Sequence, residues 1–335
     1  MRKIKIAQIG VSKNSHGKMI FESLVKQSDI FEIVGFALPE DEHEKFPELM
    51  HIFDGFKEMS VDEILNDPEI EAVTVETEEA YLTKYAVLAA KHGKHIHMEK
   101  PGGLNLREFE NLIETVKSNK TVFHTGYMYR YNPVIANLIE QTKNGELGEI
   151  ISVDAQMSCF YDTAGRQWLE RFPGGMMFFL GCHLVDLILQ LQGKPENVIP
   201  LSKCSGVNDV TAQDFGMAVF EYKNGVSVAK TSSLELGGFA RRQLVVSGSK
   251  KTVEIRPLEM YDNKHNPSFQ FTEKTEYTLK DWGNMGEHSQ SEAVDRYDNM
   301  MAAFAQMVRG EKQNPYTYDY ELEVYKTVLK SCGIS

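Results

Sequence analysis

The sequence predicts an α/β protein of two domains: a doubly wound parallel sheet, then an α+β domain with a large, mostly antiparallel, open sheet. Three observations support this prediction. Short apolar strands alternate with helices over the first part of the chain, which is the pattern of βαβ units. After Gly126, longer strand patterns are separated by turn pairs such as Asn224-Gly225. The length of 335 residues is sufficient for two hydrophobic cores.

In the first half, each apolar strand pattern is followed by a helix pattern. The predicted strands are residues 4–10, 31–38, 72–75, 95–98 and 121–124, and the predicted helices are residues 17–27, 61–65, 80–91 and 106–118. Crossovers between parallel strands are right-handed, so this order predicts a doubly wound sheet. The pattern changes near residues 124–127, which predicts domains of residues 1–124 and 125–335.

The second half is dominated by strand patterns between about residues 197 and 278. The predicted strands are residues 149–160, 214–222, 226–236, 242–247 and 252–255, and the predicted helices are residues 133–143, part of 174–191, 292–309 and 320–330. An Asn-Gly pair between alternating runs is typical of a hairpin. This half therefore predicts an antiparallel sheet with helices on one face.

Composition limits the classes of function. The net charge of −12 argues against nucleic acid and anionic membranes as main partners. Residues 1–7 predict a strand and not a signal peptide, and the apolar stretch 176–191 is too short and too polar for a bilayer span. The cysteines form no Cys-x-x-Cys pair, and no His, Cys or carboxylate cluster has metal-ligand spacing. We therefore expect a cytoplasmic protein without a metal site.

The stretch from His97 to Pro101, with the sequence His-Met-Glu-Lys-Pro, ends one of the predicted strands. The carboxyl edge of an open α/β sheet is where ligands bind. A lysine held there could hydrogen-bond a substrate hydroxyl and lower its pKa. Alone, these residues favour a surface lysine in a turn, but the rest of the chain favours a site at Lys100.

Several further motifs follow one another along the chain. They are the glycine turn at Gly10, Glu99-Lys100-Pro101, Tyr129-Arg130-Tyr131-Asn132-Pro133, Gly145-Glu146-Leu147-Gly148, the segment from Gly174-Gly175 to Gly181-Cys182-His183-Leu184-Val185-Asp186, and a helix pattern near residues 299–310. In their order and spacing the chain resembles, over nearly its whole length, the Gfo/Idh/MocA family, named for glucose–fructose oxidoreductase and inositol dehydrogenase. The resemblance implies an N-terminal Rossmann domain and a C-terminal domain whose open sheet supports a homo-oligomer, a dimer or tetramer.

The resemblance also implies a chemistry and a place in carbohydrate metabolism. Members of the family oxidise or reduce a carbon of a sugar, cyclitol or related polyol with a nicotinamide cofactor. Their catalytic lysine and histidine correspond to Lys100 and His183. We expect His183 to take the hydroxyl proton as general base and Lys100 to stabilise the developing alkoxide. The cofactor accepts the hydride.

The glycine loop departs from the family pattern. It runs from Gly10 to Gly17, with Ser12 where the second glycine of G-x-G-x-x-G belongs. Gly10 and the side chains of Ser12, Asn14 and Ser15 are candidate contacts for a pyrophosphate at the helix N-terminus. The alternative is an ordinary strand-to-helix turn.

Two more candidate cofactor contacts also depart from the pattern. Leu38 occupies the position of the acid that binds the adenosine ribose, and the acids that follow it would repel a 2′-phosphate, which favours NAD over NADP. Glu40 could replace the missing acid, but a solvated charge is favoured. After the third strand the family usually has T-P-x-x-x-H, of which Thr77 is retained while Glu78 and Leu82 replace the Pro and the His. Glu78 either binds a ribose hydroxyl or, as we favour, caps the next helix. Glu99 and Lys100 complete the predicted cofactor contacts.

His183 lacks the aspartate that the family often places four residues earlier, because Phe179 stands there. Asp186 lies on the same side of the helix and could pair with His183 or with backbone elsewhere. The predicted substrate contacts are Lys100, Tyr129, Arg130, Tyr161, Trp168 and His183, with His124 also near the pocket. Arg130 could clamp a substrate or hold the domain interface, which we favour. Tyr161, Arg166 and Trp168 are predicted to lie in a loop.

Two alternatives remain at the level of sequence. Ser12, Leu38, Leu82 and Phe179 all depart at cofactor or catalytic positions, as in a ligand-sensing or partner-binding protein that has lost redox chemistry. Alternatively, a tightly bound cofactor could serve a transient oxidation within an elimination or hydrolysis.

Overall fold

A computed structural model describes residues 2–261 and 269–334 of the chain. These residues form two compact units, residues 1–128 with 297–325 and residues 129–296 with 326–335. The first break falls after Met128, four residues beyond the predicted boundary at residue 124. The first unit is also discontinuous, because helix Asp298–Val308 packs against helix Gly17–Lys26 and the ring of Tyr325 stacks on that of Phe109 at 4.1 Å.

The first unit contains the predicted parallel sheet. Its strands are β1 (Ile4–Ile9), β2 (Phe31–Ala37), β3 (Ala72–Val75), β4 (His95–Met98) and β5 (Phe123–Thr125), and its helices are α1 (Gly17–Lys26), α2 (Glu42–Lys45), α3 (Val61–Asn66), α4 (Leu82–Lys91) and α5 (Leu106–Asn119), with a 3₁₀ segment at Pro47–Phe53. All neighbours pair in parallel, in the order β2-β1-β3-β4-β5. The strand order reverses between β1 and β3, which is the switch point at which such sheets bind ligands.

The second unit contains the predicted large sheet. Its elements are α6 (Pro133–Lys143), β6 (Ile150–Gln156), α7 (Thr163–Trp168), α8 (Cys182–Gln192), β7 (Asn197–Pro200), β8 (Phe215–Tyr222), β9 (Gly225–Ser232), β10 (Gln243–Gly248), β11 (Thr252–Ile255), β12 (Met260–Tyr261), β13 (Phe269–Phe271), β14 (Glu273–Tyr277), β15 (Glu287–Gln290) and β16 (Val294–Asp295). Eight strands form one sheet in the order β15-β14-β11-β10-β6-β9-β8-β7, and β12, β13 and β16 form a small one. The large sheet is antiparallel except between β6 and β9, and α8 packs on both of these strands.

The other helical elements are short 3₁₀ segments, one π-helix and two α-helices near the end of the chain. Three-residue and four-residue 3₁₀ segments lie at Met128–Tyr131, Leu169–Arg171, Val207–Asp209 and Phe239–Arg241, a π-helix lies at Met177–Gly181, and the closing helices are α9 (Asp298–Val308) and α10 (Tyr318–Ser331). No helix among the described residues combines the length and the apolar character needed to cross a membrane.

Several predicted elements have different bounds in the structure, among them the strand predicted over 226–236, which ends at Ser232. The strand predicted over 149–160 ends at Gln156. The helix predicted over 292–309 begins only at Asp298, because Val294–Asp295 pairs with β13 instead. Residues 163–168, predicted to lie in a loop, form α7, whose first turn is capped by the Asp162 carboxylate at 2.8 Å from the Gly165 N–H. Residues 262–268 of the strand-like stretch lie outside the described part of the chain.

Candidate active site

The glycine loop after β1 is packed tightly against the loop after β3. Gly10 has a φ of +87°, and a Cβ added to it would lie 2.7 Å from the Thr77 Cα. A Cβ on Gly17 would lie 2.9 Å from the Glu76 Cβ. The buried Gln8 amide donates to the carbonyl oxygens of Gly10 at 3.0 Å and Gly17 at 3.2 Å. Thr77 therefore leaves no space for a side chain at position 10, and the positive φ also favours glycine there.

The polar side chains of this loop stabilise the loop itself. The Ser12 Oγ accepts the Asn14 N–H at 3.3 Å, and the Ser15 hydroxyl donates to the Ser12 carbonyl at 3.1 Å. The Val11 N–H donates to the carboxylate of Glu42 at 3.1 Å. Ser12 and Ser15 thus stabilise the turn in which Ser12 takes the place of the second glycine of G-x-G-x-x-G. Asn14, the third candidate, is half-buried.

Leu38 lies beside an open cavity at the end of β2. The cavity has a volume of about 560 Å³, and its lining includes Leu38, Pro39, Glu58 and Glu63. None of the described residues that line it is Arg or Lys. The described lining of this cavity therefore offers carboxylates and no cationic side chain to a bound group.

The three acids after β2 differ in their surroundings, because Asp41 is exposed, Glu40 is half-buried and Glu42 is buried. Glu40 and Asp41 have φ of 62° and 58°, and this left-handed pair reverses the chain. Glu40 accepts a hydrogen bond from the Tyr85 hydroxyl at 2.8 Å and pairs with Lys84, and both interactions lower its pKa. Glu42 is carried into the interior, where burial raises its pKa to about 9.

Lys100 lies just past the carboxyl end of β4 and is almost fully buried, at 2% exposure. Its Nζ lies 3.5 Å from Glu99 Oε1, and the same oxygen lies 3.2 Å from the His16 Nδ1. Burial raises the pKa of Glu99, but the charges of His16 and Lys100 outweigh burial and hold it below the ordinary value. The interpretation of Lys100 as a surface lysine is therefore wrong.

Two buried acids beside Lys100 were missed by the sequence analysis. Glu76 and Glu79 follow β3 and are both fully buried. Burial, opposed by the charge of Lys100, raises the pKa of Glu79 to about 7, and burial together with Glu99 raises the pKa of Glu76. The sequence signal for these acids is the pair of glutamates within four residues of the apolar strand Ala72–Val75, at the edge of the sheet where ligands bind.

A pair of histidines lies in the core behind these acids. The Nδ1 atoms of His97 and His124 are 2.7 Å apart, one donating to the other, and the His97 Nε2 lies 3.6 Å from Glu76 Oε1. Burial lowers the pKa of His97 to about 4. The ring of His124 stacks on Phe304 at 5.4 Å, so His124 lies in the core of the first unit.

The other two predicted contacts after β3 also have partners. Thr77 is fully buried, and its hydroxyl donates to the Glu78 carbonyl at 3.2 Å. The Glu78 carboxylate lies 3.6 Å from the Lys45 Nζ. Since α4 begins only at Leu82, with Tyr81 at its N-cap, the prediction that Glu78 caps this helix is wrong.

In the second unit, His183 lies near the start of α8 and is buried at 1% exposure. Its ring meets that of Tyr129 edge-on, with centroids 5.4 Å apart. The Tyr129 hydroxyl donates to Glu259, which also pairs with Arg242 and Arg296. Burial raises the pKa of Tyr129, so this phenol stays protonated and bonded within its own unit.

Asp186 pairs with Arg130 through short hydrogen bonds. The Arg130 Nη2 lies 2.7 Å and its Nε 3.0 to 3.1 Å from the carboxylate, and the Gln190 amide donates to the same carboxylate at 2.8 Å. Asp186 therefore pairs with Arg130, which was not among its predicted partners, His183 and the backbone. Arg130 is in turn held by a buried ion pair inside the second unit.

An aromatic cluster replaces the aspartate expected before His183. Phe179 lies in the π-helix, and the Trp168 ring meets Phe179 edge-on at 4.8 Å and Phe172 at 4.7 Å. Tyr161 is half-buried, and its N–H donates to the Ser233 carbonyl at 2.8 Å. π-helical turns often occur at functional sites.

Arg166 has a structural role. It is buried at 2% exposure, lies 3.2 Å from the Asp214 carboxylate and donates to the Val207 carbonyl at 2.8 Å. In the part of the chain that the structure describes, no three His, Cys, Asp or Glu side chains are grouped to hold a metal ion.

Comparison with known proteins identifies the two halves of the chain. Residues 4–127 match the model of an oxidoreductase family with an NAD-binding Rossmann fold, GFO/IDH/MocA, and residues 135–254 match the GFO/IDH/MocA C-terminal domain. The chain spans about half the length of the first curated relatives it matches, with 40%, 60% and 54% covered.

Two curated relatives from Bacillus subtilis differ in their named cofactor. The chain is 35% identical to scyllo-inositol 2-dehydrogenase (NAD(+)) over 27% of this chain and 26% of the relative. It is 26% identical to scyllo-inositol 2-dehydrogenase (NADP(+)) over 41% of this chain and 39% of the relative. Among solved structures, the fold is similar to aldose-aldose oxidoreductase from Caulobacter crescentus complexed with glycerol, with a TM-score of 0.77, 17% identity, and coverage of 99% and 98% of the two chains.

Proposed function

We propose, from the premise that the chain belongs to the Gfo/Idh/MocA family of oxidoreductases, that it transfers a hydride between NAD(H) and a carbinol carbon of a sugar, cyclitol or polyol-like substrate. The observation that carries this proposal is the buried Lys100 at the carboxyl end of β4, charge-paired with Glu99. Burial of a lysine is costly, and its retention at the edge of the sheet where ligands bind supports a role for Lys100 toward a bound ligand.

Three features of the first unit support a dinucleotide site. Gly10 leaves no room for a Cβ and brings the loop backbone to the surface of the sheet edge. The ten-residue helix α1 begins directly after this loop, so a pyrophosphate would meet its N-terminus. The cavity beside Leu38 would receive the adenosine end. We therefore assign cofactor contacts to Gly10, Ser12, Asn14, Leu38, Thr77, Glu78, Glu99 and Lys100.

The cofactor supplies the hydride acceptor, and the protein supplies the acid–base chemistry. The Lys100 ammonium, 3.5 Å from Glu99, would hydrogen-bond the reacting oxygen and stabilise the alkoxide that develops there. We propose His183 as the base that takes the hydroxyl proton, with Tyr129 fixing its ring edge-on. Lys100 lies in the first unit and His183 in the second.

Charge supports NAD as the preferred cofactor. The cavity beside Leu38 carries the carboxylates of Glu58 and Glu63 and, among its described lining residues, no Arg or Lys. A 2′-phosphate would lack a cation there and would be repelled by the acids. The relatives include enzymes named for each cofactor, so the preference rests on this chain's own residues.

The second unit would supply the substrate contacts and the assembly surface. We propose Tyr161 and Trp168 as aromatic faces for a sugar ring, while Tyr129 and Arg130 act by holding His183 and α8 in place. The large sheet of the second unit exposes Ile151 and Val226 on neighbouring strands, which supports a homo-oligomer built on this sheet.

Calorimetric titration with NAD, NADH, NADP and NADPH tests the proposal, after an absorbance check for carried-over nucleotide. We expect saturable binding of NAD and NADH and at least tenfold weaker binding of the phosphorylated forms. Turnover of a sugar or polyol panel would follow. Nicotinamide that co-purifies, with no net redox change of the substrate, would favour the transient-oxidation alternative.

The ligand-sensing alternative is favoured by one observation. The Val11 N–H, in the loop that would cradle the pyrophosphate, is already bonded to Glu42. If none of the four nucleotides binds and none co-purifies, the dehydrogenase proposal is wrong and this alternative stands.

A further inference from the structure

Three glutamates are buried together at the carboxyl ends of β3 and β4. Glu76, Glu79 and Glu99 are each fully buried. The Glu99 carboxylate is paired with His16 and Lys100, and Glu76 lies 3.6 Å from His97. Within residues 2–261 and 269–334, no other residue donates a hydrogen bond to the Glu79 carboxyl group, and the donor that acts on it is its own backbone N–H.

A buried carboxyl group without hydrogen-bond donors is expensive to ionise. Such a group normally stays protonated unless a positive charge is brought to it. Lys100 is the positive charge near Glu79, but its Nζ is already 3.5 Å from Glu99. Among the described residues, the cluster therefore has three carboxyl groups, and the cations Lys100 and, when protonated, His16 both pair with the same one, Glu99.

The position of Glu79 suggests where a further positive charge would come from. In a doubly wound sheet the adenosine end of a dinucleotide lies at β2, and the cofactor crosses the switch point toward the strands on the other side. Glu79 follows β3, and Glu99 and Lys100 follow β4, the strands on the nicotinamide side. The oxidised nicotinamide ring carries a positive charge, whereas the reduced ring is neutral.

We propose that Glu79 is the counter-charge for the oxidised nicotinamide ring. Protonated Glu79 gives its proton to solvent when NAD⁺ binds, and the carboxylate left behind balances the charge of the ring. NADH brings no positive charge and leaves Glu79 protonated. This inference rests on the proposed function and adds a positioning and specificity role for a residue that neither the motifs nor the comparisons assign.

The charges that face Glu79 set the pH at which this exchange operates. Burial raises the pKa of Glu79 to about 7, the charge of Lys100 lowers it, and Glu99 and Glu78 raise it. Glu76 is a further carboxyl neighbour. Below this pH the protonated form dominates, so binding of NAD⁺ must release a proton. Above it, Glu79 is already ionised and NAD⁺ binds without that loss.

Calorimetry of the purified full chain tests the proposal without turnover. NAD⁺ and NADH are titrated at pH 6, 7 and 8, in phosphate and in Tris buffers, whose different protonation enthalpies report proton release. We expect NAD⁺ to release up to one proton at pH 6 and NADH to release none. The ratio of NAD⁺ to NADH affinity should rise between pH 6 and pH 8, by about fivefold if binding lowers the pKa of Glu79 by one unit and by at most about tenfold for a larger shift.

Substitutions of Glu79 test whether this residue is the source of the released proton. Glu79→Gln is close in shape and uncharged, so it should bind NADH normally and lose both the proton release and the pH dependence of the ratio. Glu79→Asp should restore part of both. Glu114→Gln, on the exposed face of α5, removes one carboxylate from the first unit outside the cluster and should behave as wild type.

The outcomes separate this proposal from the one on which it rests. Equal proton release with NAD⁺ and NADH, or unchanged release in a folded Glu79→Gln variant, overturns the role of Glu79 and leaves the dehydrogenase proposal standing. If Glu79→Gln does not fold, the comparison of the two nucleotides on the wild-type protein still decides. Absence of binding by either nucleotide overturns both proposals.

Discussion

Arg130 and Asp186 form a buried ion pair in which Nε and Nη2 of the guanidinium both donate to one carboxylate. Each side chain is at most 1% exposed. Removal of one partner would leave the other charge buried without its counter-charge, and such losses typically cost about 3–5 kcal/mol. The pair therefore links Arg130 to α8, the helix on which His183 lies, and neither charge can be removed alone without cost.

We predict that Asp186→Asn lowers the free energy of unfolding of the second unit by about 3 kcal/mol. Denaturant titration followed by circular dichroism measures this change. The exposed pair of Arg241 with Glu235 provides the control, since Arg241→Gln should cost less than about 1 kcal/mol. Equal small losses in both variants would show that the buried pair contributes little.

Lys100→Met should lower kcat by at least about 100-fold, because it removes the charge that stabilises the developing alkoxide. The methionine keeps most of the buried volume, so the melting temperature separates lost chemistry from lost folding. Lys91→Met, at an exposed position on α4, is the matched control and should keep its activity. Near-wild-type turnover of a folded Lys100→Met protein on its best substrate would remove Lys100 from the mechanism.

Glu42 gives a prediction about pH and stability. Its pKa of about 9 in the folded chain exceeds the value of about 4.3 for an unfolded glutamate, so the folded state binds the proton more tightly. The stability this group contributes is fully present below the unfolded value and is lost as the pH rises toward 9. We predict that Glu42→Gln stabilises the protein by several kcal/mol at pH 8, at about 1.4 kcal/mol for each pH unit above the unfolded value, and by only about 1 kcal/mol at pH 5.

Thermal unfolding of the wild type and of Glu42→Gln at the two pH values measures this difference. The exposed Glu44→Gln is the control for a general change of charge. A stabilisation of the same size at pH 5 and pH 8 would contradict the raised pKa of Glu42.

Gly10→Ala should destabilise the protein and weaken nucleotide binding. The new Cβ would lie 2.7 Å from Thr77 backbone atoms, and the φ of +87° is strained for alanine. Gly55→Ala isolates the second effect, because Gly55 has a φ of +85° and nothing lies within 4 Å of the added Cβ. We expect about 1–2 kcal/mol for Gly55→Ala from strain alone, and a larger loss for Gly10→Ala. Equal losses measured by denaturant titration would show that the contact with Thr77 is unimportant.

The main elements of the fold are predictable because their causes are local. Strand alternation and the Asn224-Gly225 turn lie within a few residues of one another, and the structure joins β8 and β9 there. The helix at 292–309 was predicted too long because residues 294–295 pair with β13, a partner distant in sequence. A local pattern cannot show such competition between a helix and a distant strand.

The candidate site was predictable only where a motif identifies it. Lys100 and His183 were found through their motifs, but the burial of Glu76 and Glu79 depends on how two loops close over the sheet edge. The reversal at Glu40 and Asp41, which carries Glu42 inside, uses left-handed conformations that these residue types seldom adopt. Asp186 had two candidate partners in the sequence, and its pairing with Arg130 arises from tertiary packing.

The first unit is interrupted along the chain, since it consists of residues 1–128 and 297–325. During synthesis on a ribosome, its parallel sheet emerges early, yet α9 reaches it only after all of residues 129–296 have been made. Until α9 has been synthesised, the surface of the first unit that α9 covers therefore stays exposed to solvent. A chaperone that binds exposed apolar segments would have its longest opportunity during this interval.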